Sequence, residues 1–275
     1  MSSSLLRVPV ALRLGILIDR APAAIWLALL AASLWPTAWW MGQRMLDRSD
    51  EPLGLLALAA LGLLLWHCRR RLRPAPRLGW LAVAIGGAVA SSAALGQVPA
   101  LVSSMLGLAA LGAGLVAFLP PGVAIAPVLG LSLLALPLLA SLQFYAGYPL
   151  RVITAEAGRW LLAPGFVVAR SGAALLVDDQ LIIVDAPCSG VQMLWLGYFT
   201  ASVVALYSAR GDRAFLTRLP AVSLLVLAGN VLRNAMLVAL EASGTHLAGW
   251  AHDAVGLLVL AVVCAAIARV MYQSP

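Results

Sequence analysis

Three side chains in the last third of this chain carry groups that together perform acyl transfer: the Cys188 thiol, the Arg233 guanidinium and the His252 imidazole. A thiolate attacks a carbonyl, a guanidinium depresses a thiol pKa or steadies an oxyanion, and an imidazole moves protons. Cys188 sits in the run Asp185-Ala186-Pro187-Cys188-Ser189-Gly190, where a polar, strand-like segment from Gln180 to Asp185 gives way to an apolar run starting at Val191. That position predicts the first turn of a membrane helix at the water boundary, whose orphan N–H groups and positive dipole end favour the thiolate. Pro187 suits the same boundary, since proline is tolerated just before or within a first helical turn. Arg233 falls inside an otherwise apolar run, and Asn230, Arg233, Asn234 and Leu237 share one helical face. It lies about eight residues, roughly 10–12 Å, from the outer end of that helix. A guanidinium at such depth is costly and normally faces a bundle interior or a wet cavity, so the two asparagines beside it predict a hydrated pocket.

Each of these residues also has a plainer reading. Cys188 is then a small apolar side chain packed in a bundle, Arg233 snorkels to the interface or pairs with Glu241, and His252 is an interfacial bystander. The coincidence of all three at one leaflet favours a working set. Around them, Ser189 is positioned to cap the helix, Gln192 one turn on to face the pocket, and Asp253 either to orient His252 or to be solvated. His246 is the reserve candidate for general base.

The elements that must position this set are membrane helices. Hydrophobic residues make up 63% of the 275 residues, charged residues 11%, and the mean hydropathy is +0.97. Such values describe an all-α polytopic membrane protein, not a soluble domain. The net charge of +7 is carried by arginine alone, in short clusters between apolar runs. That pattern follows the positive-inside rule and gives no reason to expect nucleic acid as a partner; membrane lipid is the expected surrounding. Three cysteines (Cys68, Cys188, Cys264) are too few and too apolar in setting for a disulfide framework. The first apolar run ends in Trp35, Trp39 and Trp40 without a small-residue cleavage site, so no cleavable signal peptide is expected.

Eight spans are expected within a single membrane domain, 1–275: about 22–41, 52–66, 78–95, 100–119, a fifth ending near Phe144, then 189–207, 219–240 and 251–271. The clusters Arg69, Arg70, Arg71, Arg73, Arg77 and Arg210, Arg213, Arg218 mark cytoplasmic loops, which places both termini in the cytoplasm. Residues 147–187 then form an extracytoplasmic segment before the sixth span. Its start, Val152 to Leu162, is expected as a short interfacial helix, and Phe166 to Asp185 as strands turning at Ser171-Gly172 and Asp178-Asp179. Cys188 and His252 open their helices from this outer side, and 188–271 holds the catalytic helices.

Cys188-Ser189-Gly190 opening a helix, Asn230-Val231-Leu232-Arg233 inside a helix, and His252-Asp253 followed by Gly256 resemble the exosortase/archaeosortase family of membrane transpeptidases. The resemblance is strong over the last third of the chain and loose before it. It implies that Cys188, Arg233 and His252 form the catalytic set of a cysteine transpeptidase or protease, acting without metal or cofactor. It further implies membrane-anchored substrates with a C-terminal sorting signal: a Pro-containing motif, a transmembrane helix and a basic tail. Cleavage at the outer face of a bacterial inner membrane would pass the new carboxyl end to a cell-surface or lipid-linked acceptor. The family pattern commonly has Ala before the cysteine, and Pro187 in its place implies a divergent subfamily.

Other candidates carry less. His67 and Cys68 lack the second ligand pair a metal site needs. Cys264 lies deep in the last span, and Asp178 with Asp179 reads as a turn. Two rival functions are a transporter or channel whose polar path runs by Asn230 and Arg233, and an assembly subunit without chemistry.

Overall fold

The computed structural model describes residues 21–47, 50–184, 186–244 and 249–273; Asp185 and His246 lie outside the described residues. The chain divides into two compact units, residues 1–39 with 65–120 and residues 40–64 with 121–275. The first unit contains helices α1 (Ala23–Ser33), α4 (Leu78–Ala93) and α5 (Ala100–Phe118), with parts of α2 (Trp35–Leu46) and α3 (Gly54–Cys68). Small residues let α4 and α5 approach closely, since lipid supplies no hydrophobic force between helices. Gly87 meets Ala110, and the buried Ser91 hydroxyl donates to the Ser103 carbonyl at 2.8 Å. The backbone N–H groups of Arg73 and Arg77 donate to the Phe118 and Ala117 carbonyls, both at 2.9 Å, which satisfies the end of α5.

The second unit contains α6 (Ile125–Leu134), α7 (Leu139–Leu162), strands β1 (Val168–Ser171), β2 (Ala174–Val177) and β3 (Gln180–Ile183), a 3-10 turn (Ala186–Ser189), and α8 (Val191–Tyr207), α9 (Asp212–Ala242) and α10 (Gly249–Tyr272). Helices α8, α9 and α10 close around Met193, Phe215, Val222, Val226, Val263 and Ile267. The strands form an antiparallel sheet in sequence order, with Val168 opposite Val177 and Ala174 opposite Ile183. Asp178 and Asp179 take φ 45° and 66°, the left-handed pair that a two-residue hairpin turn requires and that aspartate tolerates. Leu175, Val177 and Ile182 from the sheet pack with Ala155 and Leu162 of α7 and with Ala235 and Val238 of α9. The sheet therefore braces the two helices that flank Cys188.

Among the described residues three helices are long and apolar enough to cross a membrane: α5, α9, and α10 from Trp250. At 31 residues α9 is ~46 Å long, well beyond the ~30 Å hydrocarbon core. Two further pairs qualify only when each is taken as one span: α1 with α2, bent by 62°, and α6 with α7, bent by 93°. Helices α3, α4 and α8 are apolar but shorter, at 15, 16 and 17 residues. The protein is thus a helical membrane protein with three to five candidate spans and a small three-stranded sheet.

Two expected spans turn out broken, both for want of a proline N–H. The fifth breaks between Leu134 and Leu139, where Pro137 donates no hydrogen bond and restricts Leu136. The first breaks at Leu34, just before Pro36. Beyond its break, α7 continues through Pro149 to Leu162 and absorbs the separate short helix expected from Val152. At the basic end of the unit Arg210 donates to the Tyr272 carbonyl, and Arg218 donates to the Met271 and Gln273 carbonyls at 3.4 and 2.7 Å. These guanidinium groups satisfy the last carbonyls of α10.

Candidate active site

Cys188 does not lie in the first turn of α8. It sits in the separate 3-10 turn, and Gly190, at φ +87°, divides that turn from the helix. Only glycine enters this backbone region without strain. Here it also has no room for a side chain, because a Cβ would lie 2.8 Å from Asn230 Cγ and Nδ2. The α8 N-terminus begins three residues past the thiol, so its dipole acts at greater range than the sequence implies. Ser189 does serve that N-terminus. Its Oγ accepts the Val191 N–H at 3.3 Å while its hydroxyl donates to Gln143 Oε1 at 2.7 Å.

What holds Cys188 is α9. Asn230 Nδ2 donates to the Cys188 carbonyl and to Thr154 Oγ1, both at 3.1 Å. Asn234 Nδ2 donates to the same Cys188 carbonyl at 3.1 Å and to the Asn230 carbonyl at 2.8 Å. A carbonyl can only accept, so each amide must present nitrogen here, and neither can be flipped without setting oxygen against oxygen. Asn230 and Asn234 are 2% and 5% exposed. Where the sequence implies a hydrated pocket, both amides are packed over, and the Cys188 and Asn230 carbonyls and Thr154 Oγ1 take their protons as a clamp. Asn230 Oδ1 is buried and has no hydrogen-bond partner among the described residues. The Cys188 side chain is half-buried against the cluster shared by α7, the sheet and α9.

Arg233 packs against α10. A Cβ added at Gly256 would lie 3.1 Å from Arg233 Nε and 3.3 Å from Nη2, so the guanidinium rests directly on the backbone there. Gly256 is one turn along α10 from His252, which places the cation on the helix that carries the imidazole. Arg233 Nε is buried without a hydrogen-bond partner, and Arg233 forms no ion pair with Glu241 among the described residues. His252 is half-buried and Asp253 exposed. Gln192 is also exposed, and its Nε2 donates to Glu51 Oε2 at 2.8 Å. The structure thus attaches Cys188 to one face of α9 and carries Arg233 from that helix to α10.

Thr154, Gln143 and Glu51 carry no signal in the sequence that would have joined them to this site. The charged half of α7, in the segment read as lying outside the membrane, adds a further anchor for the sheet. Glu156 accepts from Arg159 Nη2 at 2.7 Å, from Trp160 Nε1 at 3.0 Å and from Arg170 Nε of β1 at 2.5 Å. Arg159 and then Arg170 hold its carboxyl well below the usual range, at about 2. No group of three or more His, Cys, Asp and Glu gathers as metal ligands would among the described residues.

A family model described as transmembrane exosortase matches residues 39–269. The chain belongs to the exosortase family. No curated protein and no solved structure matches it. The exosortase match takes in Cys188, Arg233 and His252, and extends through both units to the long helices of the first. Exosortases are membrane cysteine transpeptidases that act on membrane-anchored substrates bearing a sorting signal. A thiol on a pinned turn is the kind of group such chemistry uses.

Proposed function

We propose that this exosortase cleaves a C-terminal sorting signal through a thioester on Cys188 and transfers the released carboxyl end to a cell-surface or lipid-linked acceptor. The observation that carries the reading is the pair of buried amides on the Cys188 carbonyl, donated by the same helix that bears Arg233. Burying two asparagines in an apolar bundle costs free energy unless their protons are used, and here one hydrogen bond from each goes to the same cysteine. In the proposed reaction the Cys188 sulfur attacks the substrate carbonyl and the C–N bond breaks. His252 gives a proton to the departing amine. An acceptor nucleophile then loses its proton to His252 and attacks the thioester, breaking the C–S bond and regenerating the thiolate. Arg233 Nε–H, a buried donor without a partner, is available to the oxyanion. Ser189, Gln192 and Asp253 are assigned supporting roles at the rim.

The proposed setting is a bacterial inner membrane, with both termini cytoplasmic and Cys188 facing the periplasm. The arginine clusters support that orientation. The eight spans proposed here take each bent pair as one span and add the three shorter apolar helices to the three long ones among the described residues. The test is Cys188→Ala in cells carrying a substrate with its sorting signal. Unprocessed substrate should accumulate, and undiminished processing removes the nucleophile. A membrane-impermeant thiol reagent added from the periplasmic side should label Cys188; protection from that side removes the orientation.

A further inference from the structure

The first unit contains a groove of about 1120 Å³, walled by α1, α4 and the end of α5 and floored by residues Pro74, Ala75 and Pro76. Trp26, Leu30, Leu81, Ile85, Val89 and Phe118 line it. Its lining includes two hydroxyls, Ser33 and Ser92, and the Ser33 hydroxyl already donates to the Leu30 carbonyl at 2.7 Å. Such walls offer little to a polar ligand and much to hydrocarbon. The volume exceeds the usual range for small-molecule pockets. Along α4 the groove runs from Leu78 to Ala93, ~22 Å, longer than the ~15 Å depth of one leaflet. A complete acyl tail fits.

One end of the groove is basic. Arg73 and Arg77 flank Pro74, Ala75 and Pro76 in the chain, and Arg73 Nε donates to the Ala75 carbonyl at 3.4 Å, which holds its guanidinium beside that end of the lining. The loop is held there by the Arg73 and Arg77 N–H bonds to the end of α5. Arg69 is occupied over the Trp66 ring and Arg71 lies against His67, while Arg73 and Arg77 adjoin the lining residues Pro74, Pro76 and Leu78 in the chain. We propose that this groove is a binding site for one anionic diacyl phospholipid, its tails along α1 and α4 and its phosphate at Arg73 and Arg77. The proposal does not rest on the transpeptidase reading.

The full chain, purified in mild detergent and placed in nanodiscs of zwitterionic lipid doped with phosphatidylglycerol, provides the test, with retained lipid counted by native mass spectrometry. Wild type should hold one phosphatidylglycerol against the zwitterionic excess. Arg73→Ala and Arg77→Ala should each lower the preference for the anionic lipid about fivefold while a lipid is still held. Val89→Trp, at a position already exposed to lipid, should expel the bound lipid with helicity and monodispersity unchanged, and Ala88→Phe repeats the block should that variant fold poorly. No lipid retained by wild type, equal retention of both lipid classes, or full retention by a folded blocking variant overturns the proposal.

Discussion

The clamp on Cys188 can be tested by its dependence on a shared acceptor. Replacing Asn234 with Leu keeps the volume and removes two hydrogen bonds, to the Cys188 and Asn230 carbonyls. After that change the Cys188 carbonyl still receives Asn230 Nδ2 at 3.1 Å, and the Asn230 carbonyl keeps its helical partner. At about 1 kcal/mol per bond the single variant should lose roughly 1–2 kcal/mol. Asn230→Leu removes the bonds to Cys188 and Thr154 and should cost a similar amount. In the double variant the carbonyl has neither amide, and an unsatisfied, partly buried acceptor adds about 1–3 kcal/mol of its own. The loss in the double variant should therefore exceed the sum of the two single losses by about 1 kcal/mol or more, well beyond the ~0.3–0.5 kcal/mol scatter of independent sites. Reversible unfolding in mixed micelles of SDS and a mild detergent gives the four stabilities. Simple additivity would mean that the two amides do not share a load, and the clamp would be an accident of packing. Transfer rates measured in parallel should show the same excess loss.

Three further outcomes follow from single contacts. Gly256→Ala puts a Cβ 3.1 Å from Arg233 Nε, so the guanidinium must shift; processing should fall about tenfold, near 1.4 kcal/mol, with membrane insertion unchanged, as read by the cellular processing assay. Gly190→Ala forces a side chain into φ +87° and onto Asn230, and should cost about 2 kcal/mol or more in the micelle titration. Glu156, held at about 2 by Arg159 and Arg170, contributes its stabilisation fully above the ordinary 4.5 and loses it as pH falls through about 2. Protection against hydrogen exchange at Val168–Ser171, corrected for the intrinsic pH dependence of amide exchange, should fall over that window in wild type, whereas Glu156→Gln should show the weaker protection already at neutral pH.

Composition and local pattern made the helical membrane class and the three short strands legible, down to the Asp178-Asp179 turn, because hydropathy and left-handed aspartates act over a few residues. The breaks at Leu34 and Pro137 were less legible. Membrane helices accommodate proline, and neighbouring groups decide whether a given one bends or breaks its helix. That Cys188 precedes the helix is not legible locally, since Gly190 suits either a helical turn or a break. The asparagines are legible as expensive residues at helical spacing, but their burial depends on what packs over them. Thr154 was invisible as a site residue. Its role depends on a partner 76 positions away, a distance at which no periodicity speaks.

Gly190 also changes what moves with what. Because a glycine pivot interrupts the path from α8 to the sulfur-bearing residue, a rotation or tilt of α8 on substrate entry need not drag the thiol along. The amides that pin Cys188 and the cation of Arg233 instead project from the same turn of one uninterrupted rod, α9. Nucleophile mount and positive charge therefore share a single mechanical datum, and their spacing is inherited from the pitch of an α-helix instead of from the docking of separate parts.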